Sequence, residues 1–208
     1  MEWNPLKWPF YCIAGIAAIV FFFIFSFISY LHFPINYTIF TNYVSELGNP
    51  LRNPAGATYF NIGVILTGIA LIPFFIGLYL WYSEAKWRTV LIIISQFLGF
   101  GAAFSVVMVG IFQEHLITTH LFWSYLFFIL LLIFTLLISI SLFTHPDFDR
   151  IISFFGFVIV GFYTSFFYLV INNLFIGLNY IMEWLMVFFI FTLFGLIIFN
   201  MFKLRNQS

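Results

Sequence analysis

The stretch Leu121–Phe143, LFWSYLFFILLLIFTLLISISLF, decides the fold class of this chain. It carries no charged residue, and it is long enough to cross a bilayer, which takes about 20 apolar residues in a helix. Apolar and polar residues do not alternate along it, so it is not a strand of a membrane β-barrel. Backbone polar groups within lipid must be paired inside their own segment, and an α-helix meets that requirement.

Five further stretches of similar length and composition lie along the chain, so we predict an all-α integral membrane protein. Its 208 residues are predicted to form a single domain, a bundle of six transmembrane helices. The predicted spans are Phe10–Leu31, Phe60–Tyr82, Thr89–Phe112, Leu121–Phe143, Ile151–Asn172 and Ile181–Phe202. The long first loop, residues 32–59, is predicted to cap the outer end of the bundle. Within it, Thr41–Gly48 is predicted to form one or two helical turns, since Thr41 suits an N-cap and Gly48 a helix end.

The composition of the whole chain excludes other classes of protein. Hydrophobic residues make up 64% of it and charged residues only 7%, against about a quarter charged in soluble domains. Seven basic residues balance seven acidic ones, so there is no basic face for nucleic acid. The single cysteine, Cys12, excludes an internal disulfide framework and a Cys-rich metal site. The lipid bilayer is therefore the expected environment.

Lysine and arginine residues fall mainly on one side of the predicted bundle. Arg52 is the one basic residue in the outer loops, and the other six are on the opposite side. Positive residues favour the cytoplasmic side of a membrane, so we predict a multi-pass protein of the cell membrane with both termini cytoplasmic. The six are Lys7, Lys86, Arg88, Arg150, Lys203 and Arg205.

Polar and ionisable side chains gather at the predicted outer end. Glu183 is the third residue of the last predicted span, about 5 Å inside it by helical rise. An ionisable residue within a span is by default a candidate for function. We predict a polar pocket beneath the cap, open to the outer side. Its candidate residues are Ser45, Glu46, Asn61, Glu114, His115, His120 and Glu183.

Several of these residues also have a structural interpretation. Glu46 has the one outer cation as an ion-pair partner, and His120 is placed to bond a loop carbonyl at a helix entry. Glu183 is shallow enough to reach interfacial water. Glu114 and His115 fall in a loop, where solvent satisfies them. The sequence leaves the functional and structural interpretations open for each residue.

Four short motifs occur in order along the chain. They are Ser45-Glu46-Leu47-Gly48, Phe60-Asn61-Ile62-Gly63, Gly110-Ile111-Phe112 followed by His120, and Glu183 in the last span. In this order they resemble a family of archaeal and bacterial membrane proteins catalogued as domain of unknown function 998. A more distant similarity is to the Frag1/DRAM/Sfk1 group, also six-span proteins. The resemblance implies a six-helix fold and an outer polar cluster, and it implies no particular activity.

The residues fit three functions from different classes. The first is binding without catalysis, in which the outer pocket takes a lipid head group, a small ligand, a partner protein or a second copy of the chain. The second is an intramembrane lipid hydrolase assisted by a metal, because zinc accepts histidine and carboxylate ligands such as His115, His120 and Glu183. The third is a transporter, which needs ionisable groups near the membrane midplane. Catalysis and the identity of any cofactor stay open.

Overall fold

The computed structural model describes residues 8–34, 36–172, 174 and 176–205, excluding the side chains of Ile176 and Arg205. Over these residues the chain forms six α-helices and two short 3₁₀ helices. Each α-helix is long and apolar enough to cross a membrane, which confirms the predicted class of an all-α membrane protein. The α-helices are α1 (Phe10–Leu31), α2 (Ala57–Gly77), α3 (Lys86–Ile111), α4 (Ile117–Phe143), α5 (Arg150–Ile171) and α6 (Ile176–Arg205), and the 3₁₀ helices are Val44–Gly48 and Leu78–Trp81.

Five helices begin before the predicted spans, α5 by one residue and the other four by more. The starts of α2, α3, α4 and α6 precede the predicted ones by three to five residues, whereas α1 has the predicted bounds. Hydropathy marks only the apolar part of a helix, while backbone hydrogen bonding continues through polar residues at its ends. Glu183 consequently lies seven residues beyond the start of α6, about 10 Å along the helix, because α6 begins five residues before the predicted span.

The six helices pack as a closed ring in chain order. Each helix contacts the next, and α6 returns to contact α1. At the centre, the ring of Phe75 on α2 lies 5.2 Å from that of Phe134 on α4 and 5.8 Å from that of Phe194 on α6. Both contacts are edge-to-face, a favourable geometry for aromatic pairs. The core of the bundle is therefore aromatic.

The helices differ in how much of their surface the bundle covers. In α2 and α6, 56% of the residues in the most apolar 18-residue stretch are buried within the protein, against 22% in α5. A helix with this little protein cover presents most of its surface to lipid in a membrane. The α5 helix is thus the most lipid-exposed part of the bundle.

Residues 32–34 and 36–56 lie across one end of the bundle, which we call the capped end. The helical turn expected over Thr41–Gly48 is confined to the 3₁₀ helix Val44–Gly48. The hydroxyl of Thr41 does not cap that helix and instead bonds to Thr38 and Asn42, at 2.7 and 2.9 Å.

Buried side chains tie this cap to the helices below. Ser29 on α1 donates its hydroxyl to the carbonyl of Leu47, at 2.9 Å. The fully buried Asn53 donates to the carbonyls of both Ser29 and Leu47, at 3.1 Å each. From α2, Asn61 donates to the carbonyl of Gly48, at 2.9 Å. Buried polar groups are stable only when paired, so these bonds fix the cap in one position.

The opposite end carries the connections 78–85 and 144–149. The guanidinium of Arg88 donates to the carbonyl of Thr144, at 2.7 Å, and the ring of His145 stands edge-on to that of Trp81. Burial, and then the positive charge of Arg88, lower the pKa of His145. Lys7, which entered the orientation prediction, lies outside the described residues, as does the side chain of Arg205.

Candidate functional site

A cavity of about 360 Å³ lies beneath the cap, among α4, α5 and α6. This volume falls within the range of small-molecule sites, roughly 300–1,000 Å³. Part of its wall is apolar, with Leu121, Phe128, Phe166 and Val170. Its polar lining consists of Tyr43, Ser45, Glu114, His120, Ser124, Tyr125 and Glu183.

Four of the seven predicted site residues line this cavity, although they are far apart in sequence. Ser45 comes from the cap, Glu114 from the connection between α3 and α4, His120 from α4 and Glu183 from α6. The described lining does not include the other three, Glu46, Asn61 and His115.

Glu183 is a buried ionisable residue of the cavity. Only 8% of it is exposed, and the backbone N–H of Val44 lies close to its carboxylate. Its second oxygen, Oε2, has no hydrogen-bond partner. Among the described residues, Glu183 has no ion-pair partner, and the charges of Glu46 and Glu114 lie near enough to repel it. Burying an unpaired charge or polar atom is costly, and no described group of the protein compensates this cost at Oε2 of Glu183.

His120 is buried to a similar degree, with 4% exposed. Its Nδ1 lies 2.8 Å from the carbonyl oxygen of Phe112. A carbonyl only accepts, so Nδ1 carries a hydrogen and, in the neutral ring, Nε2 presents a lone pair. The carbonyl of Val109 also lies near the ring, yet Nε2 has no hydrogen-bond partner. The sequence analysis offered a bond to a loop carbonyl as the structural interpretation of His120. The structure contains this bond, and one nitrogen of the ring remains unpaired.

Glu46 makes the ion pair that its structural interpretation foresaw. Its carboxylate lies 2.6 Å from Nη1 of Arg52 and accepts from the amide of Asn42 at 2.7 Å. Glu46 is 4% exposed, whereas the side chain of Arg52 is 55% exposed. The charge of Glu46 is therefore neutralised within the cap itself.

The Ser-Glu-Leu-Gly motif, residues 45–48, attaches the cap to the bundle. Leu47 is fully buried, and Asn61 is bonded to the carbonyl of Gly48 rather than placed in the cavity. A Cβ atom on Gly48 would lie 2.5 Å from Oδ1 of Asn61 and 2.7 Å from the ring of Phe60. Both distances are too short for a side chain, so glycine is required at this position.

The connection between α3 and α4 is also attached to the cap. The buried amide of Asn49 donates to Oε2 of Glu114, and its Oδ1 accepts from the backbone of Leu51 at 2.8 Å. His115 is half-buried, and its Nδ1 has no partner. Within the described part of the chain, no three His, Cys, Asp or Glu side chains group so as to hold a metal ion. The metal candidates His115, His120 and Glu183 are therefore not assembled into a ligand set.

The sequence analysis missed several polar residues at or near the cavity. Ser124 lies one helical turn after His120, and the buried Asn179 one turn before Glu183. The spacing of four residues that places them on the same helix faces was readable. Tyr43 lies two residues before the Ser-Glu-Leu-Gly motif. Its burial, and then the charge of Glu183, raise the pKa of Tyr43 to about 12. Its hydroxyl therefore stays protonated at neutral pH.

A family model described as protein of unknown function (DUF998) matches residues 16–199. The chain belongs to this family. The match confirms the resemblance drawn from the ordered motifs, and it covers all six helices of this DUF998 protein in whole or in part. Neither the curated proteins nor the solved structures give a significant match. The description of the family assigns no activity, so the function has to be argued from the cavity.

Proposed function

We propose that this DUF998 protein binds an amphiphilic molecule, a lipid or a lipid-like ligand, in the cavity at the capped end, without catalysing a reaction. The observation that carries the proposal is the composition of one cavity. Ser45, Glu114, His120 and Glu183 contribute polar groups to it, and apolar side chains of α4 and α5 line the rest. This division matches a polar head group joined to a hydrocarbon chain.

The position of the cavity supports entry from the membrane. Leu121 and Tyr125 belong to its lining and are 42% and 39% exposed on the surface of α4. The neighbouring helix, α5, is the least covered of the six. A ligand dissolved in the bilayer therefore reaches the cavity sideways, between α4 and α5, without passing through water.

The head group supplies the selectivity in this proposal. Lipid tails are as apolar as leucine, so moving a hydrocarbon chain from bilayer to protein yields little hydrophobic free energy. Polar contacts to the head group decide which lipid is retained. Glu183 and His120 each have an unpaired polar atom available for such a contact.

The same proposal includes an orientation. We place the protein in the cell membrane as one domain, with both termini cytoplasmic and the cavity at the outer leaflet. Arg52 lies at the capped end, whereas Lys86, Arg88, Arg150 and Lys203 lie towards the opposite end. That asymmetry follows the preference of positive residues for the cytoplasmic side.

The alternative functions have less support. A metal-assisted hydrolase needs three protein ligands around one ion, and the described residues contain no such group. A transporter needs a site that is reached from both sides, and this cavity lies at one end of the bundle.

Native mass spectrometry of the purified protein in mild detergent tests the binding proposal. Ser124→Trp fills the cavity from α4, at a half-buried position that has room to adapt. Ser165→Trp is the matched control, because Ser165 is exposed on α5 and bonds only to its own helix. We expect bound lipid in the wild type and in the control, and its loss in Ser124→Trp. Equal lipid occupancy in the two variants would overturn the proposal.

A further inference from the structure

We infer that the head group taken by this cavity is a cation with N–H donors, a primary ammonium; the inference rests on the binding function proposed above. Two features of the cavity carry it. The first is the hydrogen-bonding polarity of the lining groups, and the second is the balance of charge at the capped end.

The lining groups of fixed polarity are acceptors. Oε2 of Glu183 and Nε2 of His120 have no partner, and both side chains are more than nine-tenths buried. With a cation bound beside it, the carboxyl of Glu183 is ionised and only accepts, and so does Nε2 in the neutral ring whose Nδ1 donates to Phe112. Glu114 adds a third acceptor group. The hydroxyls of Ser45 and of the other lining residues either donate or accept, so they adapt to the ligand.

The balance of charge points to a cation. Three carboxylates, those of Glu46, Glu114 and Glu183, lie close enough to interact. Arg52 neutralises Glu46, and the described lining contains no lysine or arginine. A buried carboxylate without a counter-ion is unfavourable, so a bound cation favours the ionised form of Glu183 by supplying the counter-ion that the described residues lack. An anionic head group adds to that cost.

The N–H requirement separates a primary ammonium from other cations. A quaternary ammonium has no N–H group and leaves Glu183 and His120 unpaired. A bare metal ion has no ligand set within the described residues, and a cavity of about 360 Å³ is much larger than an ion. Both unpaired atoms are themselves buried, so the head group reaches them through small shifts of the two side chains, with the bond from His120 to Phe112 kept.

Thermal unfolding of the wild-type protein in maltoside micelles at pH 7 tests the inference, with four probes. Dodecylammonium and dodecyltrimethylammonium share chain and charge and differ in their N–H groups. Dodecyl phosphate reverses the charge, and methylammonium lacks the chain. We expect dodecylammonium to stabilise the protein at a concentration about tenfold lower than dodecyltrimethylammonium, with little effect from the other two. The variant Glu183→Gln should lose the preference for dodecylammonium, and Ser124→Trp is measured in its place if Glu183→Gln does not fold.

The outcomes separate this inference from the proposed function. Equal stabilisation by the two cationic amphiphiles, or a preference for dodecyl phosphate, overturns the ammonium inference and leaves lipid binding intact. No response to dodecylammonium, with co-purified lipid still lost in Ser124→Trp, overturns it as well. Stabilisation by methylammonium at the same concentration would support an ammonium ligand, but it would overturn the proposal that the ligand is amphiphilic. Equal lipid occupancy in Ser124→Trp and Ser165→Trp overturns the proposed function itself.

Discussion

Replacement of Asn53 by leucine tests how the cap is held over the cavity. The Asn53 amide is fully buried and makes four hydrogen bonds. Its two N–H hydrogens are shared among the Ser29 carbonyl, the Ser29 hydroxyl and the Leu47 carbonyl, and its oxygen accepts from the backbone of Gly56, over 2.9–3.1 Å. Leucine has a similar size and cannot replace any of these bonds.

The size of the effect follows from what each partner retains. The Ser29 carbonyl still accepts from the backbone of His32, and the Leu47 carbonyl still accepts from the Ser29 hydroxyl. The Gly56 N–H still has the backbone carbonyl of residue 53. No partner is left without a bond, so the loss is the net value of the four bonds, about 0.5–1.5 kcal/mol each. Allowing for the shared partners, we expect the cap to lose about 2–4 kcal/mol.

Hydrogen exchange of the cap amides measures this loss directly. Each 1.4 kcal/mol is a factor of ten in an equilibrium constant, so the amides of residues 46–57 should exchange roughly 30- to 700-fold faster in Asn53→Leu. The control is Asn172→Leu, because Asn172 is exposed and bonds only to the carbonyl of Tyr168 in its own helix. Cap exchange in the control should stay within about twofold of the wild type. Unchanged protection in Asn53→Leu would refute the idea that this side chain fastens the cap.

Three further predictions concern the cavity, the opposite end and the orientation. Glu183→Gln and His120→Ala should each change stability and should couple by about 0.5–3 kcal/mol in a double-mutant cycle, whereas strict additivity would mean two independent residues. The lowered pKa of His145 favours its neutral form in the folded state, so stability should be full above about pH 6.5 and fall as the pH drops below it. His145→Gln should remove part of that fall, and an identical pH profile would contradict the assignment. An impermeant thiol reagent outside intact cells should label Leu51→Cys and not Lys86→Cys, both at exposed positions, and the reverse pattern would invert the orientation.

The fold was predictable because it depends on long apolar runs. The bounds of α1 agree with the prediction, since Pro9 precedes the helix and the sequence turns polar at His32. The starts of α4 and α6 were placed too late, because their first turns contain polar residues that hydropathy excludes. Within a helix, those residues form the same backbone bonds as apolar ones.

The sequence predicted the end of the bundle at which the candidate site lies, but it predicted only some of the residues that line the site. Polar residues at one end of the bundle were assigned to one pocket, but the rotation of each helix and the path of the cap decide which of them line it. Asn61 lies at the expected level and points to the carbonyl of Gly48, and Glu46 pairs with Arg52. The role of Asn53 in fastening the cap had no signal beyond its place before a proline. Such long-range bonds appear only when the chain is folded.

A density map of the protein in lipid nanodiscs tests the central claim most directly. The account predicts elongated density that enters between α4 and α5, follows Leu121 and Val170, and ends in a head group within hydrogen-bond distance of Glu183 and His120. A well-resolved map in which the protein's own side chains fill this space, with Glu183 paired to a residue of the chain, would contradict the account.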